Sequence, residues 1–157
     1  MTNDWVTRKL IDAIISLDPS TKGELGRRAA AHLGLEPGRV GKDGGIDGVG
    51  FLEGSKIYFQ SKLESQPLDA DYADNLYAKL VRHRADIGVV LSATGYTRGF
   101  EPRLKEFEEI HTNVYHRKWI KIHLLNLYDY FNETSVFEQA IKDLPPLRNL
   151  GIEKWLQ

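Results

Sequence analysis

The chain has 157 residues, of which 41% are hydrophobic and 27% charged, with a formal net charge of −1. These values are ordinary for one globular domain, and so small a net charge means that any nucleic-acid site must come from a local cluster of cations. The chain has no cysteine, which excludes disulfides and thiolate metal sites, and it has no apolar run long enough for a membrane span. No export signal is visible at its start, so we expect a cytoplasmic protein without a membrane partner.

Apolar spacing and turn residues predict an alternation of helices and strands along the chain. The predicted elements, in chain order, are a helix at 4–17, a helix at 22–33, strands at 49–52 and 56–63, a helix at 68–84, a strand at 86–91, a helix at 97–110, strands at 114–115 and 119–124, and helices at 125–131 and 135–144. This order predicts an α/β fold in which a mixed central sheet is flanked by helices, in three layers.

The first two helices have recognisable faces and caps. Trp5, Leu10 and Ile14 are spaced to form the buried face of the first helix. Thr21 is expected to cap the second helix, and Thr21 and Glu24 have the spacing of a capping box.

The chain is predicted to form a single domain over residues 1–157, with a core at about 20–131. The remainder, 132–157, is predicted to be a helical extension or a docking arm, because its last residues are rich in apolar side chains. A free tail seldom exposes so much apolar surface, so this arm is expected to dock on the domain or on a partner.

A glycine-rich hairpin at residues 41–62, GKDGGIDGVGFLEGSKIYFQSK, carries the most informative pattern. Asp47 precedes the first strand, and folding back at Gly54 brings it level with Gln60 and Lys62 near the end of the second. Because strand side chains alternate, Gln60 and Lys62 share one face of that strand. Ser61 lies on the other face, which we expect to be the core face. An acid, an amide and an ammonium group thus converge at the strand ends.

The segments GKDGGIDG and FQSK resemble the two half-motifs of the PD-(D/E)XK nuclease superfamily, in the QxK variant of its Mrr-like restriction endonuclease branch. Downstream, DIGVVLSATGYT resembles the strand, threonine-rich turn and helix of that branch. A closing strand and helix at 120–131 are also similar. The resemblance covers roughly residues 22–131, and it implies a restriction-endonuclease-like core acting on DNA.

The resemblance implies a metal-dependent DNA endonuclease with four metal-site residues. Asp47 would be the principal ligand of Mg²⁺, or of Mn²⁺ as a substitute, helped by the Gln60 amide oxygen and the Ser61 backbone carbonyl. Glu24 matches an acid that many family members use as an additional ligand. Lys62 would orient the attacking water and stabilise the transition state. Each such site cuts one strand, so a homodimer is expected.

The sequence departs from the family pattern at two positions. Ile46 stands where the family has proline, and Gln60 stands where most members have a carboxylate. The loss of that charge predicts weaker metal affinity and a greater dependence on Glu24 or Asp43.

Each feature also has a simpler explanation. The hairpin could present an ordinary solvated face, Glu24 could serve only in the capping box, and Asp43 could be a turn residue beside glycine. The five histidines are scattered without metal-ligand spacing. Two other functions remain open: a nucleic-acid-binding module with weak or no catalysis, and a regulatory or interaction subunit of a defence system.

Overall fold

The computed structural model describes residues 4–39 and 46–149. Its elements, in chain order, are α1 (Asp4–Ile15), α2 (Pro19–His32), β1 (Glu36–Pro37), β2 (Gly48–Leu52), β3 (Ser55–Lys62), α3 (Ala70–Arg82), β4 (Ile87–Ser92), α4 (Phe100–Glu109), a π-helical turn (Ile110–Val114), β5 (Lys121–Asn126), α5 (Leu127–Asn132) and α6 (Ser135–Ile141). Asp43 and the apolar residues 150–157 lie outside the described residues.

The strands form one mixed sheet in the order β1–β2–β3–β4–β5. The pairs β1–β2 and β2–β3 are antiparallel, whereas β3, β4 and β5 are parallel. Glu53 and Gly54 connect β2 to β3 with φ values of 52° and 84°, the backbone conformation that suits a two-residue hairpin. The last residues of β3, β4 and β5 therefore lie together beside the start of β2. We call this side the carboxyl end of the sheet and the opposite side its amino end.

Both faces of the sheet are covered by helices, which confirms the predicted α/β fold class. One buried cluster joins α1, α2, α5 and α6 to Ile57 and Phe59 of β3. The other joins α3 and α4 to Tyr58 of the same strand. The expectation that only one face of β3 is core is therefore wrong, because α3 also buries Tyr58 and Gln60.

Helix α2 begins three residues earlier than predicted, at Pro19. Its cap is Asp18, whose carboxylate accepts from the backbone N–H of Thr21 at 2.8 Å and from its hydroxyl at 3.0 Å. Proline is well suited to the first helical turn, where its missing N–H would have no helical acceptor. Asp18 and Pro19 thus start the second helix, and the predicted cap at Thr21 is wrong.

The buried stripe of α1 differs from the predicted one. Thr7 and Ile14 are buried and Ile11 is half-buried, whereas Trp5 and Leu10 are exposed. The stripe that faces the sheet is set by the packing of α1 against α5, rather than by the most apolar side chains of the helix.

The strand predicted at 114–115 is absent. Helix α4 runs directly into the π-helical turn, and the backbone N–H of Tyr115 donates to the carbonyl of Ile110 at 3.1 Å. Val114 and Tyr115 are each 62% exposed, and in the described ranges their β-prone side chains have no neighbouring strand on which to pack.

The C-terminal extension packs on the sheet as far as it is described. Phe137, Ala140 and Leu144 are buried in the cluster under α1 and α2. The backbone N–H of Arg148 then donates to the carbonyl of His32 at 2.8 Å. Within the described ranges, no helix is both long and apolar enough to cross a membrane.

Candidate active site at the carboxyl end of the sheet

Asp47 lies at the carboxyl end of the sheet, directly before β2. Its backbone N–H donates to the carbonyl of Phe59 at 3.0 Å, and the next residue, Gly48, pairs with Phe59. Asp47 therefore stands opposite Gln60, and its Oδ2 accepts hydrogen bonds from the backbone N–H of Ser61 and, at 2.9 Å, from its hydroxyl. The structure thus brings together the acid and the middle of the second half-motif.

Gln60 is buried on the α3 side of the sheet, with only 4% of its surface exposed. Its amide oxygen accepts a hydrogen bond from the Tyr58 hydroxyl at 3.1 Å. Binding of this oxygen to a cation would require the amide to exchange that bond for the metal. A neutral amide is well suited to so dry a position, because a carboxylate there would pay a large desolvation cost in the absence of a cation.

Lys62 ends β3, with 44% of its side chain exposed, and its Nζ lies 3.1 Å from a carboxylate oxygen of Glu64. This contact with Glu64, in the loop after β3, holds the half-exposed ammonium group at the edge of the site. Lys79 of α3 lies within electrostatic reach of both Lys62 and Asp47. Burial lowers the pKa of Lys79, nearby Lys62 and Arg82 lower it further, and Asp47 opposes the shift.

Glu24 is placed differently from the other predicted site residues. Its side chain is 45% exposed and forms ion pairs with Arg27 and Arg28 of the same helix. It is Gly26, two positions further along α2, that faces the site, because a Cβ there would lie 2.3 Å from the Ser61 Oγ and 3.0 Å from the carboxyl carbon of Asp47. Residues two apart lie on nearly opposite sides of a helix. The metal-ligand role of Glu24 stays a prediction.

Tyr72 of α3 is a site residue that the sequence alone did not reveal, because its spacing with Leu76 and Leu80 is that of a core stripe. Its ring stacks on Phe100, and its hydroxyl is buried without a hydrogen bond of normal geometry in the described part of the chain. Burial raises the pKa of this hydroxyl, and nearby Tyr58 and Asp47 raise it further, whereas the Gln60 amide acts in the opposite sense. A buried, weakly satisfied donor therefore lies beside Gln60 and Asp47.

The polar loop after β4 contributes less than its hydroxyl content suggests. The Ser92 Oγ, which is buried, accepts from the backbone N–H of Gly95 at 2.7 Å. The Tyr96 hydroxyl donates to the carbonyl of Leu125 at 2.7 Å. These groups hold the loop against β5, so they stabilise the carboxyl end of the sheet from within.

The oxygen atoms that could bind a metal ion at this end of the sheet belong to one carboxylate and to neutral groups. Among the residues that the structure describes, no group of three or more histidine, aspartate or glutamate side chains is arranged to hold a metal ion. Asp47, the Gln60 amide and the Ser61 carbonyl are oxygen donors, which fits a hard cation that keeps most of its water. Comparisons with protein families, curated proteins and solved structures find no match for this chain.

Proposed function

We propose that this protein is a metal-dependent DNA endonuclease whose active site lies at the carboxyl end of the sheet. The observation that carries the proposal is the pairing of β2 with β3. It sets Asp47 against Gln60 and Ser61, while Lys62 follows at the open end of the strand. An acid that can hold a cation and an ammonium group at adjacent strand ends, supported by a rigid sheet, are suited to phosphodiester hydrolysis.

The proposal assigns the cation to the oxygen donors of β2 and β3. Asp47, the Gln60 amide and the Ser61 carbonyl would hold Mg²⁺ or Mn²⁺, with Glu24 or Asp43 as a further ligand. When bound, such a cation polarises a phosphoryl oxygen and lowers the pKa of a coordinated water. The chain itself then has to position that water and balance the negative charge of the transition state.

Lys62 is the residue best placed for both tasks. Its side chain is half-exposed and reaches Glu64, so it can turn towards a bound phosphate without breaking buried contacts. Lys79 adds a second positive charge to the same region. These local cations compensate for the net charge of −1, which by itself gives no attraction for DNA.

A second candidate function, a nucleic-acid-binding module without efficient catalysis, is favoured by one observation. The Gln60 amide oxygen is engaged by Tyr58, and the Asp47 Oδ2 is engaged by Ser61. If these bonds persist when DNA binds, the site keeps a single carboxylate and holds a divalent cation poorly.

Supercoiled plasmid DNA separates the two functions. The purified protein is incubated with plasmid in Mg²⁺ or Mn²⁺, and in EDTA as the control. A nuclease converts the plasmid to nicked and linear forms only with the cation. Retardation of the plasmid without any cleavage in either metal would instead support the binding module.

Double-strand cleavage depends on how many copies of the chain act together. Because one site acts on one strand, we propose that two copies of the chain act together on duplex DNA. Light scattering during size exclusion would show a dimer, alone or on DNA. If linear product forms while the protein stays monomeric in both states, the homodimer is excluded.

A further inference from the structure

A second cleft, lined by apolar and charged side chains, lies at the amino end of the sheet, on the side away from Asp47 and Lys62. It has a volume of about 940 Å³ and is walled by the C-terminal end of α3, by the start of β5 and by the segment 117–120 before it. Since β4 has six residues, the two ends of the sheet are separated by about 20 Å. The cleft is therefore distinct from the candidate active site.

The charges around this cleft do not balance. Asp86 accepts a hydrogen bond from the backbone N–H of Lys56 at 2.8 Å. Asp143 accepts from Lys121 at 2.8 Å and from His123 at 2.7 Å. Both acids of the cleft are thus already engaged. By contrast, the three remaining cations make no ion pair within the part of the chain that the structure describes; they are Arg84, Arg117 and Lys118.

Aromatic side chains stand next to these cations. The Trp119 ring lies in the wall of the cleft, stacked on Tyr77 with 5.7 Å between ring centroids and edge-on to His111 at 5.4 Å. The Tyr77 hydroxyl and the His111 Nδ1 are 2.7 Å apart, which fixes this cluster. Tyr115, at the end of the π-helical turn, is 62% exposed and lies within electrostatic reach of Tyr77. The aromatic cluster in the wall of the cleft thus has an exposed aromatic ring near it.

The backbone holds two residues of this region in the left-handed conformation that normally favours glycine. Arg84, which follows the residue that caps α3, has φ of 53°, and His116 has φ of 55°. Glycine is the usual residue at such a position after a helix, because a side chain costs free energy there. The chain instead carries an arginine, at a conformational cost, where the side chain can line the cleft.

We propose that the amino-end cleft binds single-stranded nucleic acid. Arg84, Arg117 and Lys118 contact the phosphates, and bases stack on Tyr115 and on the exposed part of Trp119. A positive groove with aromatic platforms is the general solution for binding a single strand, because every base has a face that stacks. This binding is independent of cleavage at the other end of the sheet and needs no metal ion.

The test is fluorescence anisotropy with a labelled oligothymidylate of about 15 nucleotides, in EDTA, over a series of salt concentrations. The double variant Arg117→Ala, Lys118→Ala is expected to lower the affinity about tenfold or more at low salt. Each lost phosphate contact also lowers the steepness of the log–log salt dependence by about 0.7, so the double variant loses about 1.4. Tyr115→Ala, at an exposed position, is expected to weaken binding about fivefold or more.

The variant Arg84→Gly shows whether a loss of binding is caused by the lost charge or by a loss of folded protein. Glycine relieves the left-handed backbone while it removes the charge, so thermal stability should be unchanged or higher and binding weaker. The matched control is Arg8→Ala, Lys9→Ala, which removes two cations from α1, outside the cleft. This control should bind the oligonucleotide as the unaltered protein does at the same salt.

Three results would overturn the proposal. One is wild-type affinity in the Arg117→Ala, Lys118→Ala variant, and another is an equal loss in the α1 control. The third result has two parts: polyglutamate or duplex DNA binds as tightly as the oligothymidylate, and Tyr115→Ala does not weaken binding. Together they would show a site that accepts any polyanion. None of these results bears on plasmid cleavage, so the nuclease proposal is tested separately.

Discussion

At the scale of single residues, the candidate active site depends on how Asp47 and Gln60 are satisfied before any ligand arrives. Ser61 supplies two hydrogen bonds to the Asp47 carboxylate, and Tyr58 supplies one to the Gln60 amide. The site is therefore preorganised by hydrogen bonds from the chain itself. In the proposed function, a cation bound by the Gln60 oxygen would compete with the bond from Tyr58, so its affinity is expected to depend on the charge at position 60.

Gln60→Glu is predicted to raise the affinity of this site for Mg²⁺ and to lower the stability of the metal-free protein. In EDTA, a carboxylate at a position 4% exposed is expected to lower the free energy of unfolding by about 1–3 kcal/mol. Added Mg²⁺ should raise the melting temperature of the variant more steeply than that of the wild type, because the cation binds only the folded state. Differential scanning fluorimetry over a Mg²⁺ series measures both effects.

The matched control is Gln66→Glu, which makes the same chemical change in an exposed loop. Its melting temperature should follow the wild type at every Mg²⁺ concentration. If Gln60→Glu shows no more Mg²⁺ dependence than Gln66→Glu does, the oxygen donors at the carboxyl end do not form a metal site.

The Asp143 carboxylate is predicted to make the stability of the protein depend on pH. Burial acts to raise its pKa, but the hydrogen bonds from Lys121 and His123 outweigh this, so the pKa is held below its ordinary value of 3.8. A carboxyl group with a lowered pKa in the folded state stabilises the protein above about pH 4 and loses this contribution as the pH falls through the folded-state pKa. Asp143→Asn should therefore lower the urea midpoint at pH 7, and the difference should shrink as the pH falls towards 3.

Asp12→Asn, on an exposed face of α1, is the comparison for Asp143→Asn. The two variants remove the same charge, but the Asp12 carboxylate forms no ion pair in the described part of the chain. A difference between Asp143→Asn and the wild type that stays constant from pH 7 to about 3 would contradict the assigned role of the carboxylate.

At the scale of elements, the close approach of α2 to the ends of β2 and β3 shapes the site. Gly26 leaves the space that Ser61 and Asp47 occupy, and Gly48 lets Ala30 approach β2, since a Cβ at Gly48 would lie 2.5 Å from the Cβ of Ala30. Helix α2 therefore covers the Asp47 carboxylate on one face of the sheet, and α3 covers Gln60 on the other.

Gly26→Ala and Gly23→Ala form a matched pair within α2. A methyl group at Gly26 would meet the Ser61 Oγ at 2.3 Å, so overpacking should cost about 1–3 kcal/mol of unfolding free energy. Nothing lies within 4 Å of a Cβ at Gly23, so alanine there should gain about 0.5–1 kcal/mol from helix propensity. Urea unfolding measures both, and equal stability of the two variants would show that α2 does not pack on the site as described.

Much of this arrangement of elements could be predicted because its signals are local. The turn at Gly54 and the apolar run of β4 determine the hairpin and the central strand without reference to the rest of the chain. The sequence places the start of α2 too late because Asp18 and Pro19 can end one helix or begin the next, and the choice depends on packing. Val114 and Tyr115 have β propensity, but they pair with no strand among the residues that the structure describes, and α4 continues through the π-helical turn.

At the scale of the whole molecule, the parallel strands separate two polar regions. The carboxyl end carries Asp47 and Lys62, and the amino end carries a cluster of cations with Trp119. The first region could be predicted because its residues are close together in the sequence. Tyr72 and Lys79 could not, since their place in the site depends on which face of α3 packs on the sheet. The amino-end cleft joins residues from five separate segments of the chain, so no local pattern reveals it.

We propose that Lys62 and its neighbours at the carboxyl end of the sheet cleave DNA. The most direct test of this proposal is the rate of Mg²⁺-dependent plasmid cleavage by Lys62→Ala, beside the exposed control Lys105→Ala and a measurement of DNA binding in EDTA. If the ammonium group of Lys62 stabilises the transition state, the variant should cleave about 10²–10³-fold more slowly than the wild type while it binds DNA nearly as well. The control should keep wild-type activity. Cleavage by Lys62→Ala at the wild-type rate would contradict the assignment of the active site.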